Sequence, residues 1–477
     1  MKRNFLTVIT ALAAVFFMGA TIVSADVEFG GQFRPRLEVS QRDFNSNTDA
    51  LTFIQSRIRL DTKVTADDNI SAFFQLQSTP TWGFDQKVFQ ASDSSSAAGC
   101  SNSGVSTTAA SLVNPHTVTC GADDKGVTIH QAYVVLGNLF GMPVDLKLGR
   151  QEIIFDGHRI VGNTGWTAGA VRHDALRLDH GNDTYAIVYV FSKASELGTL
   201  GNDDVNDTNF HMFHFSLKEL LGGKLSVLAI YTDDNLGDGT GPGGVDIDND
   251  FYTLGVRQAG SVAGFSWRVE GYYQGGDADL CSDGNCFALT GGETAGFDRS
   301  AFLLAARAGY KFDVATAPSI TLWLDYLSGD DNAADTDINQ WFTLLDTGHK
   351  YYGFMDHFLT VGRGTAGGAT LGLGLVDLAI KTSISPTENL LVKADIHSFY
   401  TAEDAQAGMV PASEVGENHL GEEVDLTLVH TYSESTKIIV GYSHFFASDL
   451  MASVAGRNMV ANPDDSDWGY VMVDFKY

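Results

Sequence analysis

Two pairs of arginines carry the chemistry most worth asking about. Arg34 and Arg36 stand two residues apart, and Arg57 and Arg59 repeat that spacing. Successive side chains of a strand point to opposite faces, so residues two apart share one face. The planar guanidinium fork donates two parallel hydrogen bonds, which suits carboxylate and phosphate. Lys147, Arg177, Arg268, Arg307 and Lys393 fall in the corresponding phase of their own segments. The same faces carry Glu28, Glu38, Asp61, Asp145, Asp179, Glu270, Asp325, Asp395, Glu423 and Asp425, so the wall they build is nearly balanced in charge. Glu38 and Asp61 are expected to hold the arginines in place. A charge-lined, water-filled lumen selects solutes by charge at close range.

Other chemistry has little footing. There is no G-x-S-x-G elbow, H-E-x-x-H site or phosphate loop. The glycine-rich run from Val361 to Gly368 lacks the strand–helix context of a dinucleotide site. The 13 histidines are scattered, and His211 and His214 fall on opposite faces of one segment. Asp233, Asp234, Asp238, Asp246, Asp248 and Asp250 offer oxygen ligands, but their spacing is not that of a calcium-binding helix–loop–helix, and a solvated acidic loop is the reading adopted. No cofactor, no metal and no catalytic residue are expected.

The elements that must position these charges are strands. In Val27–Ser40, Val27, Phe29, Phe33, Leu37 and Val39 share one face, and Glu28, Gln32, Arg34, Arg36 and Glu38 the other. The alternation recurs to the end of the chain, in about 18 segments of roughly the length that crosses a bilayer at a tilt. They begin near residues 27, 53, 70, 127, 144, 172, 184, 209, 223, 250, 263, 300, 318, 370, 389, 420, 436 and 468. Short connections (65–69, 180–183, 219–222, 260–262, 384–388 and 433–435) alternate with long ones (80–126, 193–208, 233–249, 275–299, 328–369, 401–419 and 447–467). The fold class expected is all-β: a closed antiparallel transmembrane barrel of about 18 strands over 26–477, with short turns in the periplasm and long extracellular loops, notably 80–126, 233–249, 275–299 and 328–369. Val471, Val473, Phe475 and Tyr477 alternate to a terminal aromatic, a pattern similar to the C-terminal signal read by the barrel-assembly machinery.

Composition agrees. Of 477 residues 51 are Gly and only 9 Pro, aromatics reach 11% and charged residues only 19%. With 30 basic against 59 acidic residues the net charge is −29, which repels phosphate polymers and excludes nucleic acid as a partner. Residues 1–25 have the form of a cleaved secretory signal: Lys2 and Arg3, an apolar stretch from Phe5 to Gly19, then Val23-Ser24-Ala25. No later stretch approaches about 18 consecutive apolar residues, so no membrane-spanning helix is expected. In an oxidising compartment Cys100–Cys120 and Cys281–Cys286 are expected to be local disulfides.

Residues 148–178 contain Gly149-Arg150-Gln151, Gly157-His158-Arg159-Ile160-Val161-Gly162, Trp166 and Asp174-Ala175-Leu176-Arg177-Leu178. This set resembles the central motif of the alginate export family, and Thr347–Asp356 resembles a loop of many members. The resemblance implies an 18-stranded outer-membrane barrel whose pathway is lined by Arg and Lys and partly plugged by loops, and it adds Arg150 and Arg159 to the lining. Its best-known members export an anionic polyuronate; here the inferred wall is near balance and not overwhelmingly basic. The reading is a passive channel, or porin, in the outer membrane of a Gram-negative-type cell. It would sit in outer-membrane lipid and pass anionic sugars, polysaccharide or other small anionic or polar solutes, without enzymatic activity. A barrel hydrolase needs a nucleophile–histidine constellation at the rim, and a surface adhesin needs an occluded lumen; conductance without hydrolysis separates both from a channel.

Overall fold

The computed structural model describes residues 25–45, 49–82, 126–196, 207–234, 250–277, 298–332, 337–359, 370–408, 410–454 and 465–477. Outside them lie the signal expected over 1–25 (apart from its last residue), all four cysteines, and nearly all of 80–126, 233–249 and 275–299.

The alternation becomes a wall of strands: β1 (Asp26–Gln41), β2 (Leu51–Asp67), β3 (Ile70–Ser78), β4 (Thr128–Leu136), β5 (Val144–Gln151), β6 (His173–Gly181), β7 (Tyr185–Glu196), β8 (Asp207–Leu220) and β9 (Gly223–Asp234). It continues with β10 (Phe251–Val262), β11 (Phe265–Asp277), β12 (Asp298–Lys311), β13 (Ser319–Leu327), β14 (Leu375–Thr387), β15 (Leu390–Tyr400), β16 (His419–Ser433), β17 (Thr436–Ala447) and β18 (Ser466–Lys476). Each pairs antiparallel with its neighbours, and β1 pairs with β18 from Gln32↔Lys476 to Gln41↔Asp467, closing an 18-stranded barrel. Closure leaves no edge, so every strand has its backbone partners within the wall.

Strand starts agree closely with the sequence reading except at β14, which begins at Leu375 rather than near 370. Thr370–Gly374 is a turn that docks on the wall: Leu373 N–H bonds Thr370 O, and Gly374, at φ +70°, lies against the backbone of Leu327 and Ser328. Two of the short connections are two-residue hairpins with left-handed backbone at both positions, Leu221-Gly222 and Ala263-Gly264. Such turns match the twist of the strands they join. Asp26, at the start of β1, and the C-terminal Tyr477 both lie at this short-turn end.

Phe29, Leu60, Phe74, Leu254, Leu304, Ile396 and Leu426 project outward and are 48–79% exposed. An apolar girdle of this extent belongs in hydrocarbon, not water.

Residues 328–369 were expected to be an extracellular loop, and the family resemblance implied loops that partly plug the pathway; 337–359 turn inward. Trp341, Tyr351, Tyr352, Met355 and Phe358 are at most 2% exposed. They pack on inward-facing Leu303, Leu327, Leu375, Phe399 and Phe445 from the loop-end halves of the strands. The inward faces of those halves alternate these apolar residues with buried Arg299, Asp325, Asp377 and His397, so the lumen there is packed by the insert. Asp337–Ile338 adds a two-residue strand parallel to Asp298–Arg299.

Candidate solute pathway

A second segment, Glu152–Arg172 between β5 and β6, also folds inward and joins the first. Gly162 N–H bonds Leu345 O at 2.7 Å, Thr347 N–H bonds His158 O at 2.9 Å, and Thr164 N–H bonds Thr347 Oγ1 at 3.0 Å. The Tyr351 hydroxyl donates to Gly157 O, and the Trp166 ring stacks on His349 with centroids 4.1 Å apart. The two segments whose sequences carry the family resemblance are thus in direct contact inside the barrel.

The arginines expected to line the lumen do point inward, but most are committed to this insert. Arg34 donates to Gly165 O (2.8 Å), Trp166 O (2.8 Å) and Thr167 O (3.0 Å). Arg36 donates to Trp166 O (2.9 Å) and to Glu38 (2.6 Å). Arg57 donates to Gly165 O (3.0 Å) and Thr167 O (3.2 Å). Arg59 reaches Glu152 at 3.3 Å and Gln77 at 2.7 Å. Glu38 does hold an arginine; Asp61 instead accepts from Gln75 Nε2, because β2 and β3 set those two side by side.

Arg159, from the insert, is driven into the opposite wall. It bonds Asp325 (2.8 Å), lies 3.5 Å from Glu270 and sits over the Tyr351 ring. Burial alone would strip its charge, but these carboxylates hold its pKa well above the ordinary value. Burial pushes the Tyr351 hydroxyl up to about 12. Arg268 pairs with Glu270 at 3.1 Å, and Arg307 stacks on Trp323, 3.8 Å from Asp325. Asp156, not foreseen, anchors the insert on β8 and β9 through His214 (2.9 Å), Lys224 (2.8 Å) and Ser226 (2.8 Å). Burial alone would raise the Asp156 pKa, yet the bonds from His214 and Lys224 hold it well below the carboxylate range. Nothing but its place next to Gly157 in the resembling motif singled it out in sequence. Glu423, also buried, accepts the Met355 N–H at 2.9 Å and fixes the other insert.

Arg150 is a correction. It shares a face with Leu146 and Leu148, which point outward, and forms a two-bond pair with Asp174 at 2.8 and 2.7 Å outside the wall. The adjacent Gln151 takes the inward phase and bonds Gly149 O and Ala175 O, so the strand's own period turns Arg150 away from the lumen.

The turn-end half of the interior is different. Lys147 lies over the Tyr133 ring at 3.7 Å, and Arg177 pairs with Asp179 at 2.6 Å. Lys393 is half-exposed, as is Lys224, and Lys63 and Lys311 are exposed. By contrast Glu38, Glu270, Asp325, Asp377, Glu423 and Asp425 are all at most 3% exposed, sealed beneath the inserts. Among the described residues no group of His, Cys, Asp and Glu has the arrangement of a metal site.

Comparison with known proteins matches this architecture. The model of the family described as "Alginate export" matches residues 25–462. No curated protein matches the chain. Among solved structures, it resembles OccAB1 of Acinetobacter baumannii at TM-score 0.57 and 9% identity, covering 96% of this chain and 98% of that one. It resembles Pseudomonas aeruginosa OpdO at TM-score 0.54 and 10% identity, covering 95% and 97%. It also resembles P. aeruginosa OccK2 (OpdF), a structure described in complex with glucuronate, at TM-score 0.52 and 9% identity, covering 94% and 98%. These likenesses give the fold, that of outer-membrane porins. A family match along nearly the whole barrel, with the two resembling segments joined inside it, makes this chain a member of the alginate export family.

Proposed function

We propose that the protein is a passive outer-membrane channel for small anionic solutes, sugar acids foremost, with short oligomers of uronate-like sugars as the upper size. One observation carries the reading: the interior's charge is sorted. Six wall carboxylates are buried under the inserts, while Lys63, Lys147, Lys224, Lys311 and Lys393 remain accessible in the turn-end half. Arg34, Arg36, Arg57, Arg159 and Arg307 are buried too, so what a solute meets is set by these lysines, of which Lys63 pairs with Glu28 and Lys224 with Asp156; Asp61, Asp145, Asp179 and Asp474 share that surface. Cations at close range in a confined lumen favour anions. The glucuronate complex of the OccK2 structure supports a sugar acid as the probe. Arg34, Arg36, Arg57, Arg59, Arg159, Arg177, Arg268 and Arg307 serve this function by shaping the inserts and the local field. Delivery to the membrane would use the terminal strand ending at Tyr477.

Liposome swelling with the purified barrel tests the proposal. Glucuronate should enter faster than glucose, which is of similar size and uncharged. Equal rates, or faster glucose entry, would remove the anion preference.

A further inference from the structure

The pair Arg34 and Arg57 is unusual among the buried cations of this barrel. The two residues stand directly opposite each other on β1 and β2. Each is at most 7% exposed, and neither forms an ion pair among the described residues. Like charges set opposite one another repel, and buried charges are costly without a counter-charge. What faces the ends of their forks is a row of neutral carbonyls from Gly165, Trp166 and Thr167, while Arg57 Nε donates to Gln32 Oε1 (3.0 Å), whose amide in turn donates to Asp474.

Those carbonyls belong to a closed loop tip. Val171 N–H bonds Asn163 O at 2.7 Å and closes the base of the loop. Thr164 and Ala170, just inside that base, both adopt left-handed backbone, φ +46° and +57°, which is unfavourable for a residue bearing a Cβ. Beyond the arginines, the tip is held by Gln77 on Gly169 O (2.7 Å), by Thr164 on Thr347 and Asp346, and by the Trp166 ring, which lies between His349 and Arg36 and edge-on to Trp468 and Tyr470.

We propose that Arg34 and Arg57 form a carboxylate-binding site kept closed by the chain's own carbonyls, so that an anionic solute displaces the 164–170 tip and opens its own path. Charge-assisted hydrogen bonds are about twice as strong as neutral ones, so a carboxylate outcompetes a peptide carbonyl for the same fork. It also brings a carboxylate into direct contact with a pair of cations that otherwise reach one, Asp474, only through Gln32. Trp166 sets the threshold, because its ring must leave His349 before the tip can swing. The inference rests on the anion-channel reading and adds to it a gate worked by the solute.

The test is single-channel recording of the full-length protein in planar bilayers. Sodium glucuronate is the probe, and sodium chloride of equal ionic strength and glucose are the controls. Wild type should enter a higher-conductance state in glucuronate alone, saturably and by about two-fold or more. Arg34→Gln/Arg57→Gln should be open without glucuronate and unresponsive to it. Trp166→Ala keeps both guanidinium groups, so it should respond at lower glucuronate and keep its ion selectivity; it also serves if the double variant fails to assemble. An anion-selective wild type whose conductance is constant or merely blocked in glucuronate, with Trp166→Ala behaving identically, would overturn the gate and leave the channel reading standing. A wild type without anion preference would overturn the channel reading itself.

Discussion

At the scale of single residues, burial and not residue type decides what each charge does. Arg159 and Arg150 are both arginines of the same motif, with opposite prospects. The Arg159 side chain is about 1% exposed between Asp325 and Glu270, so Arg159→Met would take from buried Asp325 its 2.8 Å partner, leaving it only Arg307 at 3.8 Å, and would leave Glu270 to Arg268. A loss of about 3 kcal/mol or more is expected in denaturant unfolding of the folded barrel. The Arg150–Asp174 pair is 39% and 56% exposed, and Arg150→Gln should cost under about 1 kcal/mol and leave ion selectivity unchanged. Asp156 gives a pH signature. Its folded pKa lies below the unfolded value, so its contribution is fully present above the ordinary carboxylate pKa and is lost as pH falls through the depressed one. Hydrogen exchange across residues 152–172 should be faster in Asp156→Asn than in wild type near about pH 7, and the gap should shrink toward about pH 3. A gap independent of pH would mean that Asp156 acts through shape and not charge.

At the scale of elements, the strands were legible because a two-sided wall imposes period 2 on every segment. Arg34, Arg36, Arg57 and Arg59 were placed on the correct face for that reason. The inserts were not legible as inserts, because their contacts join positions nearly two hundred residues apart, such as Gly157 with Tyr351. A trace did exist: inward Ala301, Leu303 and Ala305 interleave with outward Phe302 and Leu304, so β12 is apolar on both faces where an open lumen would demand polarity. The arginine forks met carbonyls instead of solute because an insert's backbone must be hydrogen-bonded once it leaves water. Gly353 shows how tightly one insert fits. At φ +80°, it would place an added Cβ 2.5 Å from the Glu423 carboxylate. Gly353→Ala should therefore release the Met355–Glu423 bond and raise protease sensitivity between residues 337 and 359, with the barrel wall intact.

At the scale of the whole molecule, closure and sorting of charge are the two features on which function depends. The seam is completed by the chain end: Gly31 N–H bonds the Tyr477 carbonyl at 3.0 Å, and the Tyr477 ring lies against the Gly31 backbone. A Cβ at Gly31 would come within 2.6 Å of the Tyr477 hydroxyl, so Gly31→Val should lower the yield of assembled barrel. The proposed anion preference of a chain of net charge −29 rests on this sorting of charge. The reversal potential of the purified barrel in a potassium chloride gradient tests it most directly. The potential should be displaced toward the chloride equilibrium value, and displaced less when Lys147 and Lys393 are both changed to Gln. A potential displaced toward the potassium value, or a barrel that carries no current, would contradict it.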